Sequence, residues 1–294
     1  MNIMNPIPAS ELPINSDGSI FHLHIKPEHL ADTVILVGDR ERVNLVASFF
    51  DKDSIECDIC NREFHTITGT YRGNRVTCLS HGIGIGNIDI VMTELDALAN
   101  VDFETRLPYE DFRQLTLVRI GTSGGLQPEC PVGSYVISKR SIGFDGLLNY
   151  YRIPDGVIDM EFEYKFCTAV KWNNRLPRPY VVNADEELVE KIGFDMVKGV
   201  TISAPGFYGP QGRHVRLSPV DPQLNEKIES FEYNGEKITN YEMESSGVAG
   251  LAQMLGHRAT TVCDIIAGRV DKTMNTLYHG SMENLIKTVL DRLW

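Results

Sequence analysis

The stretch GFYGPQGRHVR, at 206–216, sets Phe207 and Tyr208 among glycines and a proline, then delivers Gln211 and Arg213 two residues apart. Gly206, Gly209, Pro210 and Gly212 disfavour a helix or a regular strand, so 207–213 is expected to be a shaped loop. A Gln amide carries one acceptor and two donors, and an Arg a planar fork of donors. That pair matches the carbonyl, N–H, carbonyl edge of a uracil ring, although the window alone also fits a surface turn whose aromatics pack on the core. A second group is cationic. Arg119 lies in the apolar run LTLVRIG at 115–121, where a guanidinium is costly unless paired. Either an internal salt bridge satisfies it, or it reaches an anion beyond the strand end, beside the Thr122 hydroxyl and the amides of the following glycines. Arg42, after the first apolar run, favours the anion, because two guanidinium forks converging on one crevice suit phosphate. A third group is the string NYEMESS at 240–246. There Glu242 could cap a helix and Glu244 could be a solvated first-turn acid, or Glu244 could accept two hydrogen bonds from a vicinal diol while Met243 packs on a sugar face.

These groups need a frame. Short apolar runs bounded by Gly or Asp recur at 33–39, 75–82, 115–121, 133–142 and 259–268, and read as strands buried on both faces. Helical spacing of apolar residues recurs at 87–100, 161–175, 185–194, 243–255 and 281–294. The alternation predicts an α/β fold in a single domain over 1–294, with a central mixed, mostly parallel β-sheet flanked by helices on both faces and residues 1–20 as an irregular N-terminal arm. In such sheets ligands collect beyond the carboxyl ends of the strands, where Gly38 to Arg42, Ser80 to Asn87 and Arg119 to Gly125 each join glycine turns to polar or cationic groups.

Several chemistries are disfavoured. A net charge of −12 offers nothing global to a nucleic acid or an anionic membrane. No apolar stretch approaches the length of a membrane span, and MNIMNPIPASELP lacks the pattern of a secretory signal, so a cytoplasmic protein is expected. The G-x-G-x-G at 82–86 has the wrong spacing and position for a dinucleotide fingerprint, and no triphosphate-binding loop is present. Six scattered cysteines favour free thiols, and the C-x-x-C of Cys57 and Cys60 has no partner pair to make a zinc site.

Seven strings in order carry a resemblance: FHL (21–23), VGDRERV (37–43), REF (62–64), SHGIGIGN (80–87), RIGTSGG (119–125), FYGPQGR (207–213) and NYEMESS (240–246). Over nearly the whole chain the sequence resembles the trimer-and-hexamer class of nucleoside phosphorylases (family I), and F-Y-x-x-Q-x-R is similar to its uridine-cleaving branch. The resemblance implies phosphate held by Gly38, Arg42, Arg62, Arg119 and Thr122. Glu244, Met243 and His22 would hold the ribose, and Phe207, Gln211, Arg213 and Arg269 would meet the base. His22 and Arg62 would come from a neighbouring subunit of a homo-oligomer, dimer or hexamer. The implied reaction is reversible phosphorolysis of uridine to uracil and ribose 1-phosphate, with phosphate as co-substrate and no cofactor required. The purine branch carries a base-protonating Asp where this chain has Ala267, Asp264 lying three residues earlier. Departures from the family pattern are Arg40 in the phosphate loop, Gly86-Asn87 after the second glycine run, and Gly268; Glu63 and Asn87 mark the region of a monovalent-cation site in some relatives. The alternatives are a purine nucleoside phosphorylase, a nucleosidase of the same fold, and a non-catalytic nucleoside-binding protein.

Overall fold

The structure is a computed structural model that describes residues 5–269 and 272–294. Positions 1–4 of the expected N-terminal arm lie outside the described residues. From residue 5 to the first strand the chain is largely irregular, with one isolated bridge between Ile14 and Ile20. It is nevertheless pinned to the body, because Leu12, Ile20, Leu23, Ile25 and Leu30 are buried in the core.

The first half of the chain runs β1 (Thr33–Val37), α1 (Arg40–Ala47), β2 (Cys57–Asn61), β3 (Phe64–Tyr71), β4 (Asn74–Ser80) and α2 (Ile85–Asn100), then the small hairpin β5 (Val101–Asp102) and β6 (Leu107–Pro108). Next come β7 (Thr116–Gly125), β8 (Tyr135–Gly143), α3 (Met160–Val170), β9 (Tyr180–Asn183), α4 (Glu186–Gly193) and β10 (Val197–Ser203). The last third holds α5 (Leu224–Glu229), β11 (Glu232–Tyr233), β12 (Glu236–Glu242), α6 (Ser245–Leu255), β13 (Arg258–Gly268), β14 (Thr273–Met274) and α7 (His279–Leu293). The expected strands and helices fall on these elements with small shifts at their ends. The helix expected over 161–175 falls furthest short of its expected range, stopping at Val170 because Lys171 turns left-handed (φ 54°) and Trp172 folds back onto Phe144.

One mixed sheet runs β11-β12-β10-β8-β13-β7-β1-β4-β3-β2. Its parallel ladders are β4-β1-β7-β13 and β8-β10-β12, made of the apolar runs legible in the sequence. The antiparallel parts include the β2-β3-β4 meander, β9 on β8, the seam between β8 and β13, and the short pairings of β11 with β12 and β14 with β13. The meander departs from strand-helix alternation. Its turns are tight, with Arg62 at φ 53° in the first and Arg72 and Gly73 at φ 51° and 77° in the second. Helices cover both faces: α2 and α6 pack in one core, α1, α4 and α7 in another, and α3 with α5 in a third. Among the described residues no helix is long and apolar enough to cross a membrane.

The feature that places the site is a closure. The end of β7 also pairs antiparallel with β12, Gly124 against Tyr241 and Gly125 against Asn240, so β7-β13-β8-β10-β12 form a ring. The carboxyl ends of β7 and β12 therefore meet, although the strands are far apart in sequence. Close approach is what the ring requires of its glycines: a Cβ on Gly143 would lie 2.3 Å from Tyr180 Cζ. Tyr180 donates to Asp145 Oδ1 at 2.8 Å, so it cannot shift freely. Gly143→Ala is expected to cost about 1–3 kcal/mol through overpacking, read as a lowered urea midpoint. An unchanged midpoint would show that the ring moves aside without loss.

Candidate active site

A cleft of about 350 Å³ opens where β1, β7, β12 and β13 end, a size within the range of small-molecule sites. Gly38, Arg42, Arg119, Thr122, Phe207, Gln211, Arg213, Met243 and Glu244, all singled out from sequence, line it. His22, Arg62, Arg269, Glu63 and Asn87 do not.

Its floor is a buried charge cluster. The Arg119 side chain is 5 % exposed and reaches Glu242 Oε2 at 3.0 Å and Glu244 Oε2 in a close ion pair. Burial works against its charge, but the carboxylates of Glu244 and Glu242 outweigh that and hold the guanidinium cationic. Its Nε donates to His81 Nε2 at 3.2 Å. Burial and the Arg119 charge push His81 well below its ordinary pKa, so the imidazole is neutral and can accept that bond. Gly121 makes room, since a Cβ there would stand 2.7 Å from Arg119 Nη1.

Glu242 is fixed from all sides. It accepts the Ser203 hydroxyl at 2.5 Å, the Ser245 hydroxyl at 2.7 Å and the backbone N–H groups of Glu244 at 2.8 Å and Ser245 at 2.9 Å, so its carboxylate satisfies free N–H groups at the start of α6, where Glu244 holds the N-cap position. Glu244 is not a solvated acid: it is 4 % exposed, and its Oε1 accepts the Gly84 N–H at 2.6 Å. Burial pushes its pKa up, while the Arg119 charge pulls the other way. Of the two readings left open for Arg119, the internal salt bridge is the one present, and it lies on the floor of the cleft.

Beside the cluster, Asp39 caps α1 by accepting the Arg42 N–H at 2.8 Å, and its other oxygen pairs with Arg42 Nη2 at 2.9 Å. Thr122 and the glycine-rich end of β7 complete this end of the cleft. At the other end the 206–216 stretch is a loop with one 3-10 turn, Gly209–Gln211. Arg213 lies over the Phe207 ring at 3.7 Å from its centroid and donates to Gln211 Oε1 at 2.6 Å, which turns the amide oxygen toward the guanidinium. Burial, and then the charge of Arg269, push Arg213 down to about 10. Arg269 acts one step back: its Nη2 donates to the Gln211 carbonyl at 2.6 Å, and it props the loop. Ile266 and Ala267 form the wall here, whereas Asp264 is 1 % exposed and does not line the cleft.

His22 and Arg62 form a patch of their own. Arg62 lies over the Phe21 ring at 5.3 Å, Phe21 meets His22 edge-on at 4.8 Å, and His22 Nδ1 is 2.6 Å from Glu94 Oε1. Glu63 and Asn87 line an adjoining cleft, where both approach Gly82. Glu242 as the clamp of Arg119, together with His81 and Gly121, escaped the residue-by-residue reading. The signal for Glu242 was its place in NYEMESS, where a second acid adjoined the one assigned to the diol.

A family profile described as the phosphorylase superfamily matches residues 32–291. The uridine phosphorylase of Thermococcus kodakarensis is 30 % identical over 268 residues, 89 % of this chain and 82 % of that one. A DeoD-type purine nucleoside phosphorylase of Vibrio vulnificus is 26 % identical over 245 residues, 83 % of each chain. Among solved structures, a Trypanosoma brucei nucleoside phosphorylase described as showing uridine phosphorylase activity superposes with a TM-score of 0.85 at 30 % identity, covering 96 % of this chain and 99 % of that one.

The clamp on Arg119 has a measurable strength. Glu242→Gln removes one carboxylate from a buried pair and is expected to destabilise the fold by about 3 kcal/mol in chemical denaturation. A loss below about 1 kcal/mol would mean that Glu244 alone is sufficient to hold the guanidinium.

Proposed function

The chain belongs to the phosphorylase superfamily, and from that premise we propose that it catalyses the reversible phosphorolysis of uridine to uracil and ribose 1-phosphate. The observation that carries this reading is one cleft lined by two guanidinium groups and Thr122 at one end, Met243 and Glu244 between, and the Phe207, Gln211 and Arg213 set at the other. Phosphate is the co-substrate, and no cofactor is required. Uracil release without phosphate would instead mark a nucleosidase, for which paired arginines have no use.

In this reading phosphate sits against Arg42, Arg119, Thr122 and the backbone at Gly38. At rest each guanidinium is matched to a carboxylate, Arg42 to Asp39 and Arg119 to Glu242 and Glu244. An incoming phosphate takes donors from Arg119 and frees Glu244, which turns to the ribose hydroxyls while Met243 packs on the sugar. As the C1′–N1 bond breaks, the sugar becomes cation-like and the phosphate fixed beside C1′ both stabilises and attacks it. The electrons of the broken bond leave with uracil, where Gln211 and Arg213 meet the ring edge and Phe207 stacks on its face. The protein supplies position and preorganised charge, without a nucleophilic side chain. Arg269 serves the base through the loop it props.

The base end favours a pyrimidine. A purine leaving group would gain from a proton at N7, and the wall offers Ile266 and Ala267 in place of an acid. Uracil spreads its negative charge over two carbonyls, which the donors of Arg213 and Gln211 suit.

The patch formed by half-buried His22 and exposed Arg62 lies off the cleft of its own chain, which supports an oligomer in which each subunit completes a neighbour's site. Arg62 would then join the phosphate and His22 the ribose 5′-hydroxyl. A monovalent cation between Glu63 and Asn87 belongs to the same reading.

Chromatography of uridine incubated with the protein should yield uracil only when phosphate is present; absence of cleavage would leave a binding protein. Arg119→Ala should lower kcat/KM by about 2–4 kcal/mol of transition-state stabilisation, and near-normal turnover would refute its placement. Cytidine, which presents an acceptor where uridine has N3–H, should be cleaved far more slowly, and equal rates would remove Gln211 and Arg213 from base selection. For the shared site, inactive Arg62→Ala and Arg119→Ala proteins, dissociated and reassociated together, should regain activity; none would be regained if each chain carried a complete site.

A further inference from the structure

Away from the cleft, the β2–β3 hairpin gathers Asp58, Cys60 and His65, whose ligand atoms all lie within 4.8 Å of one another. Strand geometry explains the grouping. Asp58 and Cys60 are two residues apart on β2 and so share a face, and Cys60 stands directly opposite His65 in the antiparallel register. Cys57 is three residues from Cys60, points to the opposite face and is buried in the core, so the C-x-x-C spacing does not make a dithiol.

His65 is 5 % exposed, and both its ring nitrogens face oxygen. Nε2 is 2.8 Å from Asp58 Oδ1, and Nδ1 is 3.4 Å from the Arg40 carbonyl. A neutral imidazole has one N–H for two acceptors. An imidazolium meets both by donating twice, in an ion pair with Asp58, and a cation between Nε2 and the carboxylate meets them equally well, with Nδ1–H held on a backbone carbonyl, the usual outer partner of a metal-bound histidine.

We propose that Asp58, Cys60 and His65 form a site for a divalent transition-metal ion, with zinc the best match. Imidazole, thiolate and carboxylate are the donors zinc takes, and three protein ligands leave a fourth position open to water. Bonds of about 2.0–2.3 Å at tetrahedral angles put donors roughly 3.3–3.8 Å apart, so rotation of the exposed Asp58 and Cys60 side chains closes the set around a fixed His65. The metal would cross-link the two strands whose turn carries Arg62 and Glu63. Arg40, whose carbonyl faces His65, also donates through Nη1 to the Arg62 carbonyl at 3.2 Å, so occupancy bears on the order of that turn. The site stands on this geometry alone and does not depend on the reaction proposed above.

Cobalt(II) added to the full-length, chelator-treated protein is the test. One equivalent per chain should bind with a near-ultraviolet thiolate-to-cobalt charge-transfer band, and zinc should bleach it. Cys60→Ser should abolish the band and Cys57→Ser should leave it. Asp58→Asn, at an exposed position, and His65→Gln should each weaken cobalt binding at least tenfold. Zinc should raise the Tm of the unaltered protein and not that of Cys60→Ser. No charge-transfer band, a band that survives Cys60→Ser, or affinity indifferent to both Asp58→Asn and His65→Gln would overturn the site and leave Asp58 and His65 as an ion pair.

Discussion

The cleft depends on one buried charge cluster, Arg119 held between Glu242 and Glu244. Three ionisable groups with so little solvent are costly to bury, and the cost is offset only because nearly every lone pair and proton has a partner. Glu242 is stabilised by two serine hydroxyls and by the N–H groups that begin α6, where the helix dipole favours a negative charge. Arg119 is stabilised by the two carboxylates and by a histidine kept neutral by its surroundings. Glu242 anchors the cation rigidly to the helix start. Glu244 carries fewer of these bonds, its other oxygen accepting only the Gly84 N–H.

That cluster exists because the sheet closes on itself. β7 supplies Arg119 and β12 leads into Glu242 and Glu244, elements separated by more than a hundred residues and brought end to end by the pairing of Gly124 with Tyr241. The glycines of RIGTSGG have a packing reason as well as a chemical one. Gly121 clears the guanidinium, while a Cβ on Gly125 would fall 2.2 Å from the Cys130 carbonyl. Bringing the strand end close to its neighbours and leaving its backbone open to a ligand are the same geometric requirement.

The end of the cleft formed by 206–216 is built differently. Its side chains lie on a loop that is held from outside the cleft, through Arg269 and Asn225 bonded to the Gln211 carbonyl. Arg213 is positioned by the Phe207 face and the Gln211 amide, so the aromatic that would stack on a ligand also orients the cation that would read it. Two cationic side chains close together are tolerated because burial and mutual repulsion only lower the Arg213 pKa to about 10, which leaves it charged at neutral pH.

The sequence by itself determined the parallel strands, the helices on both faces and most of the cleft lining, because these rest on local signals: apolar runs ended by glycine, helical spacing, and short strings that combine a turn with a polar group. Gly38, Arg42, Thr122, Phe207, Gln211, Arg213 and Met243 were legible for that reason. What only the tertiary structure decided are relations between distant segments. Of the β2–β3–β4 meander only β4 was read from the sequence, and the β2–β3 turn was hidden because it uses Arg62 at positive φ, where sequence reasoning looks for Gly or Asn. The Arg119 clamp was hidden because its partners are 123 and 125 residues away, and no local pattern states which carboxylate a buried arginine will meet. The removal of His22 and Arg62 from their own cleft, and the grouping of Asp58, Cys60 and His65, likewise follow from strand register and chain path, which are fixed by how the whole sheet packs.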